Sequence, residues 1–201
     1  MSRLALSGLA AAVLLAAGVR AQPAAPAYEV YAVRFADVSY SVANLVAGAE
    51  RGRSIDITFT IWVARDPASS RIVLVDAGFY RDTFLQQWHP NHFVKPSDAL
   101  TQGLGIAPDA VTDIIVSHMH YDHAGNRDLF PNATYHVQDS EINFCTGRCM
   151  CNSYLNHAFD VTDVQSMVGK IFAGRVHFHD GVVDSHGGES REHVLDRVHA
   201  N

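Results

Sequence analysis

"IIVSHMHYDHAGN", residues 114–126, places three histidines and an aspartate within six positions, directly after a short apolar run. The run reads as the end of a buried strand, and His118 and His120 follow it two residues apart. In extended backbone, residues i and i+2 project to the same side, so both imidazoles can reach one ion. On a helix they would point to different faces. Asp122 and His123 come where Ala124, Gly125 and Asn126 turn the chain, and can face a second ion beside the first. Imidazoles with a carboxylate suit zinc or a similar borderline divalent metal. Packing is the competing explanation, but four ionisable groups in so short a stretch are poor core material.

Outward from this loop the chain is ordinary in composition. It has 201 residues, 18% charged and 48% hydrophobic, which describes one soluble globular domain. A formal charge of −6 and only two lysines exclude the clustered basic face that nucleic-acid binding needs. Residues 1–21 read as a secretory signal: "MSR" is basic, "LALSGLAAAVLLAAGV" is an apolar core too short to span a membrane, and "VRA" ends in small residues. Cleavage before Gln22 would leave a secreted or periplasmic protein with no membrane attachment. Cys145, Cys149 and Cys151 in "CTGRCMCN" suggest one local disulfide and one free thiol rather than a zinc knot. "NAT" at Asn132 is a glycosylation acceptor only in a eukaryotic secretory pathway.

Periodicity supplies the frame. Tyr28 to Phe35 reads as an opening strand. Ile55, Ile57, Phe59, Ile61 and Val63 alternate with smaller or polar residues, predicting a strand with one buried face. After the turn-like "DPASS", the continuous run Ile72 to Val75 predicts a central strand covered on both sides, paired with its predecessor as a hairpin. Short helices are expected over 81–88 and 97–104, a single turn at "APDAVTD", a strand over 134–137 and a helix start at "DSEINF". Apolar spacing from Val161 to Phe172 is helical, and "RVHFHDG" predicts a last strand and turn. Strands first, then alternating helices and strands, indicate an α/β layered domain.

Two motifs carry a family resemblance. "SHMHYDHAGN" resembles the THxHxDHxG signature of the metallo-β-lactamase superfamily, with Ser117 in place of the usual threonine. Upstream, "IVLVDAGF" is similar to its partner motif ILVDxG and carries Asp76 and Gly78. "YEVYAVRFA", "GFYRDTF" and "FPNATYHVQDSE" are similar to the N-acyl homoserine lactonase-like branch, over residues 28 to 180 or so. The resemblance implies an αβ/βα sandwich with two zinc ions at one edge of its sheets. His118 and His120 would bind the first ion, and Asp122 and His123 the second. Asp122 would also take and return a proton, Asp76 with Gly78 would support the loop, and Tyr121 would sit at the pocket edge. The implied partner is a small lactone or ester.

The family pattern continues with a third histidine, a bridging aspartate and a final histidine. Here His186 precedes its glycines instead of following them, and "GVVDSHGGESREHVLDRVHAN" lacks the expected apolar strands. The expectation is therefore only the N-terminal half to two-thirds of the sandwich: an incomplete domain over residues 22–183 and an atypical tail over 184–201. His89, His92, His136, His157, His177, His179, His193 and His199 are expected on strand faces or at the surface. The leading functional reading is a metal-dependent hydrolase opening the ring of an N-acyl homoserine lactone or a related ester. Its rivals are a non-catalytic, truncated metal-binding remnant and a β-lactam or thioester hydrolase.

Overall fold

The computed structural model describes residues 27–125 and 128–179. The expected signal segment, the 184–201 tail, and His186, His193 and His199 lie outside the described residues. One mixed sheet holds six strands in chain order: β1 (Glu29–Ser41), β2 (Ser54–Arg65), β3 (Ile72–Val75), β4 (Asp113–Ile115), β5 (Thr134–Gln138) and β6 (Val176–His179). β1, β2 and β3 form an antiparallel meander, and β3 to β6 run parallel. The α-helices are α1 (Asp82–Trp88), α2 (Pro96–Leu104), α3 (Tyr121–Ala124), α4 (Asp139–Thr146), α5 (Ser153–Asn156) and α6 (Val161–Phe172). The α/β layered class and the β2–β3 hairpin are those expected. No helix among the described residues is long and apolar enough to cross a membrane.

β1 is longer than the sequence suggested, and the reason is a bulge. Its register shifts between Arg34 and Ala36, so Phe35 and Ala36, neighbours in sequence, are both buried. A period-two reading stops at such a doublet, whereas the strand bends and continues to Ser41. β2 follows its alternation closely, except that Ile55, near the strand's outer end, is exposed. Pro96 opens α2, and Gly105 closes it in a left-handed conformation (φ 67°). α6 is capped by Asp160, whose carboxylate accepts the Thr162 N–H at 2.8 Å.

The sheet's two faces differ. One carries Val33, Ile61, Val63, Leu74, Ile114, Tyr135 and Val137, and packs with Phe84 of α1, Leu100 of α2, Cys145 of α4 and Met167 of α6 into the main core. The other buries Val73 and Ala64 with help from Tyr28 and Ile115, yet leaves Trp62 51% exposed. The cysteines are placed differently from one another: Cys145 is buried, Cys149 half-buried and Cys151 exposed. No disulfide joins Cys145, Cys149 and Cys151, contrary to the expected local bridge. Cys145 faces the core from α4, and burial pushes its thiol up to about 11.

Candidate functional site

Parallel strands end on the same side of a sheet, and ligand sites of open α/β sheets gather at their carboxyl ends. Here three neighbouring ends each contribute. Asp76 follows β3, the histidine loop follows β4, and Glu141 lies in the first turn of α4 after β5. The β2–β3 hairpin and the β3–β4 crossover therefore bring the two distant motifs side by side.

Within the loop, Met119 is fully buried, so its neighbours His118 and His120 turn outward on the opposite side. Their ring centroids are 4.4 Å apart, and His118 lies 4.0 Å from His123. His120 caps the single turn α3, where His123 and Ala124 donate their N–H groups to its carbonyl at 3.0 and 2.9 Å. Two contacts from the segment before α6 brace it: Tyr121 N–H reaches Ala158 O at 3.0 Å, and the His120 ring meets Phe159 edge-on at 4.7 Å. Asp122 lies beside His123, with Oδ2 3.5 Å from Nε2.

Tyr121 does not sit at a pocket edge, as the sequence reading had it. It is buried, stacked on Phe84 at 3.9 Å, and its hydroxyl accepts the Trp88 indole N–H at 2.6 Å. An aromatic ring inside a helical turn next to an apolar core packs inward, and the polar tip takes the nearest donor.

Asp76 ties the two motifs together. It adopts a left-handed conformation (φ 59°) that a non-glycine residue rarely holds without outside support. That support is visible. Its backbone N–H bonds Ile115 O at 2.9 Å, and the next N–H, of Ala77, bonds His123 O at 2.9 Å. Its carboxylate accepts the Ser117 N–H at 2.8 Å and the Ser117 hydroxyl at 2.9 Å. It also takes His123 Nδ1–H at 2.7 Å. Serine thus does here what a threonine hydroxyl would do. Gly78 is needed for a different reason: at φ 73°, an added Cβ would lie 2.8 Å from the Phe35 ring.

These bonds also fix tautomers. The Ser117 hydroxyl, having given its proton to Asp76, can only accept from His118 Nδ1, 3.0 Å away. His118 and His123 therefore both carry their proton on Nδ1 and keep the Nε2 lone pair. Burial, reinforced by the neighbouring His123 charge, pushes His118 below the usual histidine range, and burial with the His118 charge does the same to His120. For His123, burial is outweighed by the Asp76 hydrogen bond and the Asp122 and Asp76 charges, which raise it.

Imidazoles of which His118 and His123 are bonded through Nδ1, a carboxylate adjacent, and a carboxylate behind one ring are, once the rings are neutral, the donor chemistry that a zinc site requires. The expected donor pairs, His118 with His120 and His123 with Asp122, lie together in this loop. Among the described residues, no three histidine, cysteine, aspartate or glutamate side chains converge to hold one ion as they lie. The residues fit the metal in kind, as two incomplete pairs.

The other described histidines lie elsewhere. His92 pairs with Asp37, His157 bonds Tyr154 O, and His136, expected on a strand face, is buried against Asp113. Sequence reasoning passed over Glu141, Ala158 and Phe159. Only the acidic residue three positions into the α4 pattern hinted at any of them.

Residues 58–141 match a family model described as the metallo-beta-lactamase superfamily. Solved structures share the fold. A quorum-quenching N-acyl homoserine lactone lactonase is 17% identical with a TM-score of 0.57, over 78% of this chain and 58% of that one. A probable metal-dependent hydrolase from Staphylococcus aureus is 12% identical with a TM-score of 0.60, over 77% and 59%. AidC, a dizinc quorum-quenching lactonase in complex with a product, is 18% identical with a TM-score of 0.54, over 80% and 61%. The chain thus spans 58 to 61% of the length of these three structures, and at these identities the likeness is one of fold. No curated protein sequence matches the chain.

Proposed function

We infer that this chain, whose residues 58–141 match the metallo-β-lactamase superfamily model, is a metal-dependent hydrolase that opens a lactone ring, of the N-acyl homoserine type or a related ester. One observation carries the reading: His118, His120, His123 and Asp122 gather at the ends of parallel strands with their donor chemistry intact. The lactone is favoured because quorum-quenching lactonases are among the structures that share this fold. Zinc, when bound, would supply Lewis acidity toward the ester carbonyl.

The chain's own residues divide the remaining work. His118 and His120 would hold one ion, and His123 and Asp122 the other. Asp76 keeps His123 in the tautomer that presents Nε2. Asp122 takes a proton from the attacking water and returns it to the ring oxygen as the ester C–O bond breaks. The arrangement of residues 1–21 supports an exported setting for this chemistry.

Among the described residues neither donor pair meets a third ligand, and on those residues alone a second reading is a protein that binds metal without efficient turnover. Two-metal catalysis depends on fixed geometry, and a displacement of about 1 Å costs on the order of 100-fold. One experiment separates the readings. Zinc stoichiometry and N-acyl homoserine lactone hydrolysis are measured for the full chain and for a variant with His118, His120, Asp122 and His123 all changed to alanine. The hydrolase reading expects zinc and turnover to vanish together in the variant. Zinc uptake without turnover in the unaltered chain selects the second reading, and unchanged zinc uptake in the variant removes both.

A further inference from the structure

We infer that Glu141 is a positioning residue for the histidine loop: its carboxylate clamps the backbone N–H lying between His118 and His120, and so holds both imidazoles on one side. The consequence for metal binding rests on the reading above; the clamp itself is visible in the geometry.

Glu141 Oε1 accepts the Met119 N–H at 2.6 Å. This is a short, charge-assisted bond of the stronger kind. It joins two neighbouring strand ends, because Glu141 belongs to α4 after β5 while Met119 follows β4. Met119 is held a second time by its side chain, which is fully buried in the main core. A residue gripped at its side chain and at its N–H cannot roll about the chain axis. In extended backbone its two neighbours must then project the other way. That is where the His118 and His120 rings meet at 4.4 Å.

The remaining loop anchors act on either side of this peptide. Asp76 grips Ser117 and His123, and Ala158 O takes the Tyr121 N–H. Glu141 acts at the central peptide of the His-x-His unit. Removing its carboxylate leaves the Met119 N–H without that acceptor and lets the backbone at 118–119 relax. The charge of Glu141 also reaches both rings, where a carboxylate favours a bound cation. Positioning and charge predict different things of one conservative change. A glutamine amide oxygen still accepts the N–H but carries no charge and is a poor zinc ligand.

The test uses the full chain with Glu141→Gln, Glu141→Ala and Glu141→Met. Zinc affinity is measured by competition with a chromophoric chelator, and Met119 amide exchange is followed by NMR in metal-free protein. Glu141→Gln should keep zinc affinity within a few-fold and leave Met119 protected. Glu141→Ala and Glu141→Met should weaken zinc by about 10-fold or more, as loss of a partner behind a ligand does, and should speed Met119 exchange. Should the alanine variant fail to fold, the methionine variant, which keeps the side chain's length, carries the comparison. If glutamine proves as damaging as alanine to zinc binding while Met119 stays protected, the residue acts by charge or as a ligand, and the positioning role is overturned. Unchanged zinc affinity and unchanged exchange in all three variants also overturn it. If the unaltered chain takes up no zinc, the metal reading fails, while Met119 exchange still decides the clamp.

Discussion

Two groups of three histidines stand among the described residues, and they are built to opposite ends. In the loop, His118, His120 and His123 lie with ring centroids 4.4 and 4.0 Å apart. On the second face of the sheet, His136 stacks against His177 at 5.5 Å and lies 5.2 Å from His179. The difference is in the nitrogens. His136 is 4% exposed and spends both of them: Nε2 on Asp113 Oδ1 at 2.9 Å, and Nδ1 on His179 Nε2 at 2.9 Å. Asp113 is itself held by Arg71 and Thr112. Within the sheet group His136 is thereby closed off, while the exposed His177 joins through ring stacking. In the loop, the Ser117 hydroxyl takes His118 Nδ1 and the Asp76 carboxylate takes His123 Nδ1, leaving the Nε2 atoms of these two rings for other partners. Imidazoles crowded together make an ion site only when lone pairs remain.

The largest effect should come from opening the closed group. Asp113→Ala removes the partner of both His136 and Arg71, with an expected loss of about 2–4 kcal/mol in urea unfolding, reduced from the fully buried case because Arg71 still reaches solvent. Zinc uptake should be unaffected. A parallel loss of zinc would show that the two groups are one system.

Next comes the carboxylate behind the loop. Asp76→Asn keeps an acceptor for the Ser117 N–H but weakens the hold on His123 Nδ1, and should lower zinc affinity by about 10-fold. The same substitution should leave the Asp113–His136 pair intact, as the His136 ring signals in NMR would report. If zinc affinity holds at the original value, Asp76 supports the fold and not the donors.

The smallest effect is a titration order in metal-free protein. His123 should protonate above 6.5, and His118 and His120 below it, read from ring-proton shifts against pH. The signs for stability follow. The raised His123 stabilises fully below about 6.5 and loses that contribution as pH rises through its folded value. The lowered His118 and His120 act in reverse, stabilising above about 6.5 and failing as pH falls. For Asp113, burial is outweighed by its bonds to His136, Arg71 and Thr112, so its carboxyl is held low. Its contribution is present above about 4 and is lost as pH falls through the folded value. One common midpoint for all three loop histidines would sink the tautomer assignment.

The same contrast explains what could be read from the chain alone. The loop was legible because four donors sit in six positions, and local spacing fixes which side they face. The hairpin and α6 were legible because their apolar periods are long enough to be unambiguous. The sheet group was not, since Asp113, His136, His177 and His179 come from three strands and meet only through the parallel register of β4, β5 and β6. The inward turn of Tyr121 depended on Phe84 and Trp88, more than thirty positions away. Glu141 is one acidic residue at a helix start, where such residues are common for reasons of helix dipole alone. The β1 bulge hid half a strand because a doublet of buried residues defeats a period of two.

The inward side chain of Met119 has a further consequence, which concerns chemical wear. Thioethers oxidise to sulfoxides, which are polar and ill-suited to a core. Met119 sits with no exposed surface beneath the His-x-His unit, whereas Met150 on the outer segment is half-buried. An oxidant can reach Met119 only after the loop has lifted away from the sheet. Once oxidised, the residue would resist returning inward, and the histidines on either side would lose the anchor that aligns them. The packing that orients the donors therefore also sets how long they survive in an oxidising medium.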